Sequence, residues 1–472
     1  MIPIEGQPIL TAVQMLAAED RAAPTIDAMY ALMERAGAGV AAAVARLCPD
    51  EETLILCGPG NNGGDGYVAA RILRERGCPV RVAAAGEPRT DLSRRARASW
   101  PGPVEAIADA RSAAVLVDAL FGIGLTRPLE AGLLATLHRL ASAARFRIAV
   151  DLPSGVATDT GALLSEPPRF DLTLALGALK VAHVLHPAAS HMGERRVLDL
   201  GVSIMAKGGR LHRTPPDADR DREASVLGRP TLPEPAAGSH KFNRGMVVVI
   251  GGAMPGASEL AALAAARVGA GYVLLLGGVS DLPRAIVRGP WRTDALADPR
   301  IDALVVGPGL GRDDVARERF DAAWASAHPL VIDGDGLRLL DPDARRVAPV
   351  VLTPHDGEFD YLFGPGGGGK IVRARAAARR SDAVVMFKGP DTVIAAPDGR
   401  AAVSAGASHW LSTAGTGDVL SGTCGAMLAS GLTPFDAASA AVWLHGEAAR
   451  LLGPAFIADD LADALTPARA SP

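Results

Sequence analysis

The stretch CGPGNNGGDGYVAAR, residues 57–71, sets the fold class of the first half of the chain. The apolar run Thr53–Cys57 before it predicts a buried strand, and the helix-forming residues 67–76 after it predict a helix. Between them, glycines permit a tight turn and let backbone amides approach an anion at the start of a helix. The glycines spaced as G-x-G-x-x-G are Gly58, Gly60 and Gly63.

This spacing alone does not establish a dinucleotide cofactor site. Such sites carry an acidic residue about 20 positions downstream, at the end of a second strand. Here the second strand, predicted at 80–84, is followed only by Glu87 after a further glycine. Instead Asn61, Asn62 and Asp65 lie among the glycines, and amide oxygens are ligands that suit a cation. The loop therefore indicates a nucleotide beside a cation, or, more simply, a tight turn without a ligand.

Apolar runs and helical stretches alternate in both halves of the chain. The runs are continuous, as in strands buried on both faces, which predicts α/β domains with parallel sheets. A chain of 472 residues favours two domains, and a proline-rich, charged segment lies near the middle. We predict domains at 1–210 and 225–472, joined by a linker at 211–224. The strands are predicted at 53–57, 80–84, 114–119, 147–152, 172–176 and 197–200, and then at 246–252, 272–276, 303–306, 330–333, 350–353, 384–388 and 393–396.

Composition excludes several classes of protein. The net charge of −4 provides no basic excess, so we expect no nucleic-acid partner. The four cysteines form no C-x-x-C pair, which argues against a disulfide framework or a zinc ribbon and fits a reducing compartment. No basic and apolar leader opens the chain and no apolar run is long enough to span a membrane, so we expect a cytoplasmic protein.

Polar groups follow two further strands of the first half. Asp118 ends one strand, and Asp151 and Ser154 follow another. Open α/β sheets bind ligands beyond the carboxyl ends of their strands, so these oxygens indicate a cation site together with the asparagines. Helix capping is the alternative for each residue taken alone. Lys180 also follows a strand and is either an acid–base group or a structural or solvated lysine.

The second half carries the motif LSTAGTGDVLSG, residues 411–422. Gly415, Gly417 and Asp418 open a predicted helix, and the free amides of a helix start bind anions. An aspartate there can act as a base on a hydroxyl that is being phosphorylated, or can simply interact with the helix dipole. The segment GPGGGGKI, residues 364–371, places Ile371 where a phosphate-binding loop needs Ser or Thr, and we interpret it as a surface loop.

Several ordered motifs of the first half, over roughly residues 8–205, resemble the NAD(P)H-hydrate epimerase domain. They are LMERAG (32–37), GPGNNGGDGYVAAR (58–71), DALFGIGLTR (118–127), DLPSGVATDTG (151–161) and LGALK (176–180). The resemblance implies a Rossmann-like three-layer domain that binds potassium through Asn62, Asp118 and Ser154. It further implies that Asp151 contacts the hydrated nucleotide. Epimerisation also needs an acid–base group, for which Asp151 is the first candidate and Lys180 the second. The hydrated nucleotide would contact Asn61, Asn62, Gly63, Gly64, Asp65, Gly122, Ile123, Gly124, Leu125, Thr126, Arg127 and Pro128.

The second half, over about residues 225–465, resembles the ADP-dependent NAD(P)H-hydrate dehydratase domain of the ribokinase-like superfamily. The motifs besides 411–422 are HKFNRGMVVVIGGAMPGASELAALAAARVGAGYV (240–273), VGPGLG (306–311), DGDGL (333–337), LTPHDGE (352–358) and FKGPDTVI (387–394). The resemblance implies a ribokinase-like α/β fold, Mg²⁺, and Asp418 as catalytic base. ADP would contact Lys388, Gly389, Pro390, Asp391, Thr392 and Gly417, and the hydrate would contact Ala257, Gly309, His355 and Asp418. Pro390 is a departure, because proline removes one amide donor from the nucleotide loop.

The preferred interpretation is thus a bifunctional repair enzyme that epimerises hydrated NADH and NADPH and dehydrates the S form with ADP. We expect it to act on small molecules, without a membrane or nucleic acid, as a homo-oligomer. One alternative is a vitamin-type small-molecule kinase with a nucleotide-binding first domain. Another is a first domain that only senses a nucleotide or scaffolds RNA. A zinc site at His183, His186 and His191 is disfavoured, because no Cys or carboxylate lies nearby in sequence.

Overall fold

The computed structural model describes residues 1–202, 224–278 and 283–471. The chain divides into two compact units, Met1–Asp219 and Arg220–Pro472. Of the predicted linker, only Ala224 belongs to the described residues, so the predicted boundaries at 210 and 225 stay predictions. Within the described ranges no helix combines the length and the apolar composition that crossing a membrane requires.

The first unit is built on a parallel sheet of seven strands. The strands of the unit, of which β1 and β8 lie outside this sheet, are β1 (Pro8–Leu10), β2 (Thr53–Cys57), β3 (Val80–Ala84), β4 (Val104–Ala106), β5 (Val115–Ala119), β6 (Phe146–Val150), β7 (Leu172–Leu176), β8 (Leu179–Lys180) and β9 (Glu194–Leu198). The sheet has the order β4-β3-β2-β5-β6-β7-β9, while β1 pairs with β8 outside it. The order reverses between β2 and β5, as in dinucleotide-binding sheets, and ligands bind at that point.

Helices cover both faces of this sheet. They are α1 (Ala12–Ala22), α2 (Ile26–Leu47), α3 (Asn61–Glu75), α4 (Asp91–Ser99) and α5 (Ala131–Ala143). Ile55 and Val117 pack in the core cluster of α2 and α3, whereas Leu54 and Leu116 pack against α5. Successive residues of a strand point to opposite faces, so each strand is buried on both sides and reads as a continuous apolar run. The predicted α/β class and three-layer arrangement are confirmed.

Helix α3 begins at Asn61, six residues earlier than the sequence pattern predicts. Gly60 is its N-cap, and the glycine-rich stretch continues directly into the first turn. A β-carbon at Gly63 would lie 1.9 Å from the carbonyl oxygen of Gly58. The glycine therefore permits close packing of the helix on the turn, and its low helix propensity misleads a prediction based on composition.

The second unit contains a mixed, mostly parallel sheet. Its strands are β10 (Ala224–Val226), β11 (Met246–Ile250), β12 (Tyr272–Leu276), β13 (Val287–Gly289), β14 (Ala303–Val306), β15 (Leu330–Ile332), β16 (Val350–Leu352), β17 (Val384–Phe387), β18 (Val393–Ala395) and β19 (Ala401–Val403). The order is β13-β12-β11-β14-β15-β16-β17-β18-β19-β10, and β18 runs antiparallel to both of its neighbours. The α/β class predicted for this half is confirmed as well.

Helices of the second unit bury a large core of small apolar residues. They are α6 (Pro255–Arg267), α7 (Asp314–Ala325), α8 (Asp335–Leu339), α9 (Asp356–Phe363), α10 (Lys370–Ser381), α11 (Thr416–Ala429), α12 (Pro434–Leu452) and α13 (Ala458–Ala470). Helix α11 is buried along nearly its whole length, from Val419 to Ala429. Its position is therefore fixed by the core, and it carries Asp418 in its first turn.

Candidate active sites

In the first unit, the turns after β2, β5 and β6 meet around Gly122. A β-carbon at this position would lie 2.9 Å from Asp151 Oδ2 and 3.3 Å from Asn62 Oδ1. Any larger residue would push these two side chains apart, so the glycine keeps them close. The structure thus brings together Asn62, Gly122 and Asp151, which are far apart in sequence.

Asp118 and Ser154 form a buried hydrogen-bonded group beside this point. Asp118 accepts hydrogen bonds from the Ser154 hydroxyl at 2.7 Å and from the Ser154 and Leu120 amides at 2.9 and 3.1 Å. Burial raises the pKa of Asp118, although the bonds from Ser154 and Leu120 act to lower it. All these donors are uncharged, so a buried carboxylate here gains from a nearby cation.

The oxygen donors at this point suit a monovalent or other hard cation. Asn62 Oδ1, the Asp118 carboxylate and the Ser154 hydroxyl are all hard ligands. The Asn62 Nδ2 atom is buried and has no hydrogen-bond partner among the described residues, so no protein hydrogen bond fixes that end of the amide. Within the described ranges no three His, Cys, Asp or Glu side chains group together as metal ligands. A site here therefore has to include amide and hydroxyl oxygens.

Asp151 is fixed by a buried ion pair with Lys180. Asp151 follows β6 with a positive φ of 65°. Lys180 Nζ donates to Asp151 Oδ1 at 2.5 Å and to the Leu176 carbonyl at 2.6 Å, and the Lys180 side chain is 1% exposed. The alternative of a solvated lysine is therefore wrong. Because Oδ1 is engaged, Asp151 Oδ2 is the oxygen that faces Gly122.

His183 connects the two residues of this pair through their backbones. Its Nδ1 accepts from the Lys180 amide at 2.8 Å, so the proton lies on Nε2, which donates to the Asp151 carbonyl at 2.6 Å. Burial, and then Lys180, lower the pKa of His183 to about 4, so the ring is neutral at physiological pH. Both ring nitrogens are thus engaged, and His183 is a structural link rather than a metal ligand.

Two further carboxyl groups lie close enough to interact with this pair. Burial, then Asp151 and Glu19, raise the pKa of Asp65 well above its usual range. The pKa of Glu19 is raised to about 7, mainly by burial. Lys180 acts to lower this pKa, and Asp151 acts to raise it. Three carboxyl groups thus share the charge of one ammonium, which favours a protonated form of Asp65. The sequence carries no signal for Glu19, because it lies on helix α1, in which only Met15 and Ala18 are buried.

The other predicted substrate residues of the first unit include residues of the α3 turn and residues that line a nearby cleft. Gly63 and Gly64 pack against Gly58 and Met33, and the Gly64 amide donates to the Gly60 carbonyl at 3.3 Å. Asn61 accepts a hydrogen bond from Thr90 Oγ1 at 2.6 Å. A cleft of about 300 Å³ adjoins the turns, and its lining residues include Pro59, Arg89, Phe121, Leu125, Arg127 and Pro128.

In the second unit, Asp418 lies near charged groups that follow strands β15 and β17 and near one on helix α9. Lys388 Nζ binds Asp333 Oδ1 at 2.8 Å and lies 4.0 Å from Glu358 Oε2. Thr353 Oγ1 donates to the same Asp333 oxygen at 2.6 Å. Burial, then Asp333, raise the pKa of Asp418 to about 7, and Lys388 opposes them. A carboxyl group with that pKa can exchange a proton near neutral pH.

A cavity of about 650 Å³ opens beside the start of α11. The predicted nucleotide residues Lys388, Gly389, Pro390, Thr392 and Gly417 line it, together with His355. The sequence did not single out His445, Leu411 and Val442, which also line it. Asp391 is not among the lining residues, because its carboxylate is buried and binds Lys370 Nζ at 2.7 Å. Ala257 and Gly309 adjoin each other at the start of α6 and do not line this cavity.

The structure also corrects the sequence-based interpretation of Lys370. The segment 364–369 follows helix α9, as its lack of a preceding strand indicated, but Lys370 does not extend into solvent. Its side chain is 14% exposed, and besides Asp391 it donates to the Lys388 carbonyl at 3.2 Å. The interpretation of Lys370 as part of a surface loop is therefore wrong. Lys370 binds both ends of the loop 388–391, at the Lys388 carbonyl and the Asp391 carboxylate.

Two family models match the chain. The model described as NAD(P)H-hydrate dehydratase matches residues 247–467, and the model described as YjeF-related protein N-terminus matches residues 29–182. The two matches together contain Asp118, Asp151, Lys180 and Asp418. Glu19 and His183 lie outside both matched ranges.

Curated relatives match over nearly the whole chain. A protein of Salinibacter ruber, named bifunctional NAD(P)H-hydrate repair enzyme Nnr, is 33% identical over 97% of this chain and 95% of its own length. The protein of the same name from Gloeobacter violaceus is 38% identical over 89% of each chain. Among solved structures, an ADP/ATP-dependent NAD(P)H-hydrate dehydratase from Bacillus subtilis is 30% identical, covering 50% of this chain and 93% of its own, with a TM-score of 0.46.

Proposed function

The chain belongs to the family of bifunctional NAD(P)H-hydrate repair enzymes, and from this membership we propose how its two sites divide the repair reaction. The first unit interconverts the R and S forms of hydrated NADH and NADPH. The second unit dehydrates the S form with ADP and returns NAD(P)H, AMP and phosphate. The observation that carries this assignment is the presence of both sites, with their charged residues in place, in a single chain of which the Salinibacter ruber relative matches 97%.

Epimerisation at C6 of the hydrated ring needs the C6–O bond to break and re-form on the other face. As the bond breaks, the lone pair of the ring nitrogen stabilises the cationic carbon, and the departing oxygen must gain a proton. We assign this proton transfer to Asp151, because its Oδ2 faces the Gly122 turn while Lys180 holds Oδ1. Lys180 is then a positioning group that holds the carboxyl through Oδ1.

Potassium fits the group of Asn62, Asp118 and Ser154. Their oxygens are of the right type, and the buried Asp118 carboxylate has only uncharged donors. A bound cation would supply positive charge that holds Asp118 ionised and orients the Asn62 amide. The chain's own contribution is the position of these oxygens next to Gly122, where the substrate ring has to lie to reach Asp151.

Dehydration requires a better leaving group than hydroxide. The C6 hydroxyl oxygen attacks the terminal phosphorus of ADP, the bond between phosphorus and the bridging oxygen breaks, and AMP leaves. Asp418 accepts the hydroxyl proton, and the amides at the start of α11 bind the phosphoryl oxygens. The C6–O bond then breaks with its electrons going to phosphate, the ring nitrogen assists, and loss of the C5 proton re-forms the C5=C6 double bond.

Lys388 and Asp333 organise this second site. Lys388 lines the cavity, and its position between Asp333 and Glu358 places one positive charge among three carboxyl groups. Mg²⁺ is usually held by one or two carboxylates together with phosphate oxygens and water. Asp333 and Glu358 fit that pattern and would hold the ion when the nucleotide is bound, where it would supply charge to the phosphate groups.

The expectations of a cytoplasmic location, a homo-oligomer and no nucleic-acid partner remain proposals. The cysteines support a reducing compartment, because all four are free thiols and three of them are buried.

Product analysis tests the proposed function against a vitamin-type kinase. The purified protein is incubated with S hydrate and ADP, and the products are separated by mass spectrometry. We expect AMP, phosphate and the reduced cofactor in equal amounts, with no accumulating phosphorylated product. A phosphorylated organic product that persists would instead indicate a kinase. Parallel reactions with ADP and ATP identify the phosphoryl donor.

A further inference from the structure

The cleft of the first unit contains two arginines that the epimerase chemistry does not use. Arg89 and Arg127 both line the cleft of about 300 Å³, and both are exposed. Among the described residues neither guanidinium makes a hydrogen bond or an ion pair with a protein group. The one acidic residue that lines the same cleft is Glu130. With two positive charges against one negative, the cleft suits an anionic group of a ligand.

The backbone around Arg89 is anchored to the substrate loop. The Arg89 amide donates to the Pro59 carbonyl at 2.8 Å. The next residue, Thr90, caps helix α4 and donates its hydroxyl to Asn61 Oδ1 at 2.6 Å. The base of the Arg89 side chain is therefore held close to the turn that opens α3, although no described residue binds its guanidinium group.

Arg89 also occupies an informative place in the sheet. It follows β3, the second strand of the unit, which lies next to β2. In dinucleotide-binding sheets of this order, an acidic residue in this region binds the ribose 2′-hydroxyl, whereas an arginine accommodates a 2′-phosphate. The acidic residue is missing at the end of β3, and Glu87 does not line the cleft.

We propose that Arg89 binds the 2′-phosphate of hydrated NADPH and so makes the first unit selective for hydrated NADPH over hydrated NADH. The proposal rests on the epimerase function proposed above. Arg127 and the turn amides then remain for the parts of the nucleotide that the two substrates share. Since the 2′-phosphate is remote from the reacting carbon, its contact contributes to binding and leaves the chemical step unchanged.

The test measures R-to-S conversion of each hydrate by chromatography, without ADP, for wild type and for Arg89→Gln. The matched control is Arg76→Gln, which removes the same charge from an exposed arginine just beyond the C-terminal end of α3. We expect Arg89→Gln to raise KM for hydrated NADPH by about tenfold, as for loss of a charge-assisted hydrogen bond. Its kcat, and both constants for hydrated NADH, should stay at the wild-type values.

Each other outcome contradicts a separate part of the account. Equal losses with both hydrates would place Arg89 on a group common to the two substrates and overturn the 2′-phosphate assignment. No loss with either hydrate, or the same loss in Arg76→Gln, would remove Arg89 from the site. A wild-type protein that interconverts neither hydrate would contradict the epimerase function itself.

Discussion

Lys180 Nζ lies 2.5 Å from Asp151 Oδ1, and the two side chains are only 1% and 7% exposed. The pair joins β8 to the turn after β6, and His183 links the same two segments through their backbones. A buried charge is costly unless it is paired, so each member of this ion pair depends on the other. The pair therefore fixes the position of Asp151 Oδ2, the atom that faces Gly122.

Replacing Asp151 by Asn removes the group that exchanges a proton and retains the shape of the side chain. We expect the epimerase rate to fall by at least about 100-fold, the usual contribution of a general acid–base group. Dehydration of pure S hydrate by the same protein should be unchanged. The control is Asp109→Asn, an exposed aspartate of the same unit. A variant with full epimerase activity would show that Asp151 is not the acid–base group.

Replacing Lys180 by Met leaves Asp151 buried without its partner. We expect this change to destabilise the protein by about 3–5 kcal/mol, as for removal of one member of a buried ion pair. The double variant Lys180→Met/Asp151→Leu should recover most of this loss and still lack epimerase activity. Calorimetric unfolding and the epimerase assay measure the two effects separately. Equal stability of the single and double variants would contradict the coupling of the two residues.

Local pattern in the sequence predicted the first unit's buried strands well, because continuous apolar runs are typical of strands covered on both faces. It missed strands such as β8 and β10, which have two and three residues and carry no pattern of their own. It also placed the start of α3 too late. The glycines of NNGGDG have low helix propensity, but they permit the close packing of the first turn of the helix. The burial of Lys180 depends on contacts distant in sequence, which is why its role stayed open.

The dehydratase rate should depend on the ionisation of Asp418. Burial and Asp333 raise its pKa to about 7, and a base must be ionised to accept a proton. Activity is therefore present above pH 7 and falls about tenfold for each unit below it. Glu358 contributes to the raised pKa, so Glu358→Gln should move the midpoint of the profile to lower pH. A profile that is flat between pH 5 and 8 would contradict the assignment of Asp418 as base.

The contact of Lys370 with Asp391 should control nucleotide binding. Lys370→Met removes the cation that holds the loop 388–391, and we expect KM for ADP to rise by about tenfold while kcat changes little. Lys370→Arg keeps the charge and should largely restore the affinity. The epimerase activity of the same chain serves as an internal control. A rise in KM for the hydrate instead of ADP would assign Lys370 to the other substrate.

The second site shows a similar division between motif and distant contact. The helix start at Asp418 was predictable, because glycines mark the N-terminus of α11 and an apolar helix follows. The pairing of Lys388 with Asp333 and of Lys370 with Asp391 could not be predicted, because the first two residues are 55 positions apart in sequence and the second two are 21 positions apart. Lys370 was misjudged for the further reason that four glycines precede it and suggest an exposed loop.

A chain that carries both sites should repair both forms of the hydrate. The most direct measurement is recovery of the absorbance of the reduced cofactor after incubation of the purified protein with a mixture of R and S hydrates and excess ADP. We expect essentially complete recovery with wild type and a stop at the S fraction with Asp151→Asn. Wild-type recovery that stops at the S fraction would contradict the epimerase function, and no recovery at all would contradict the dehydratase function.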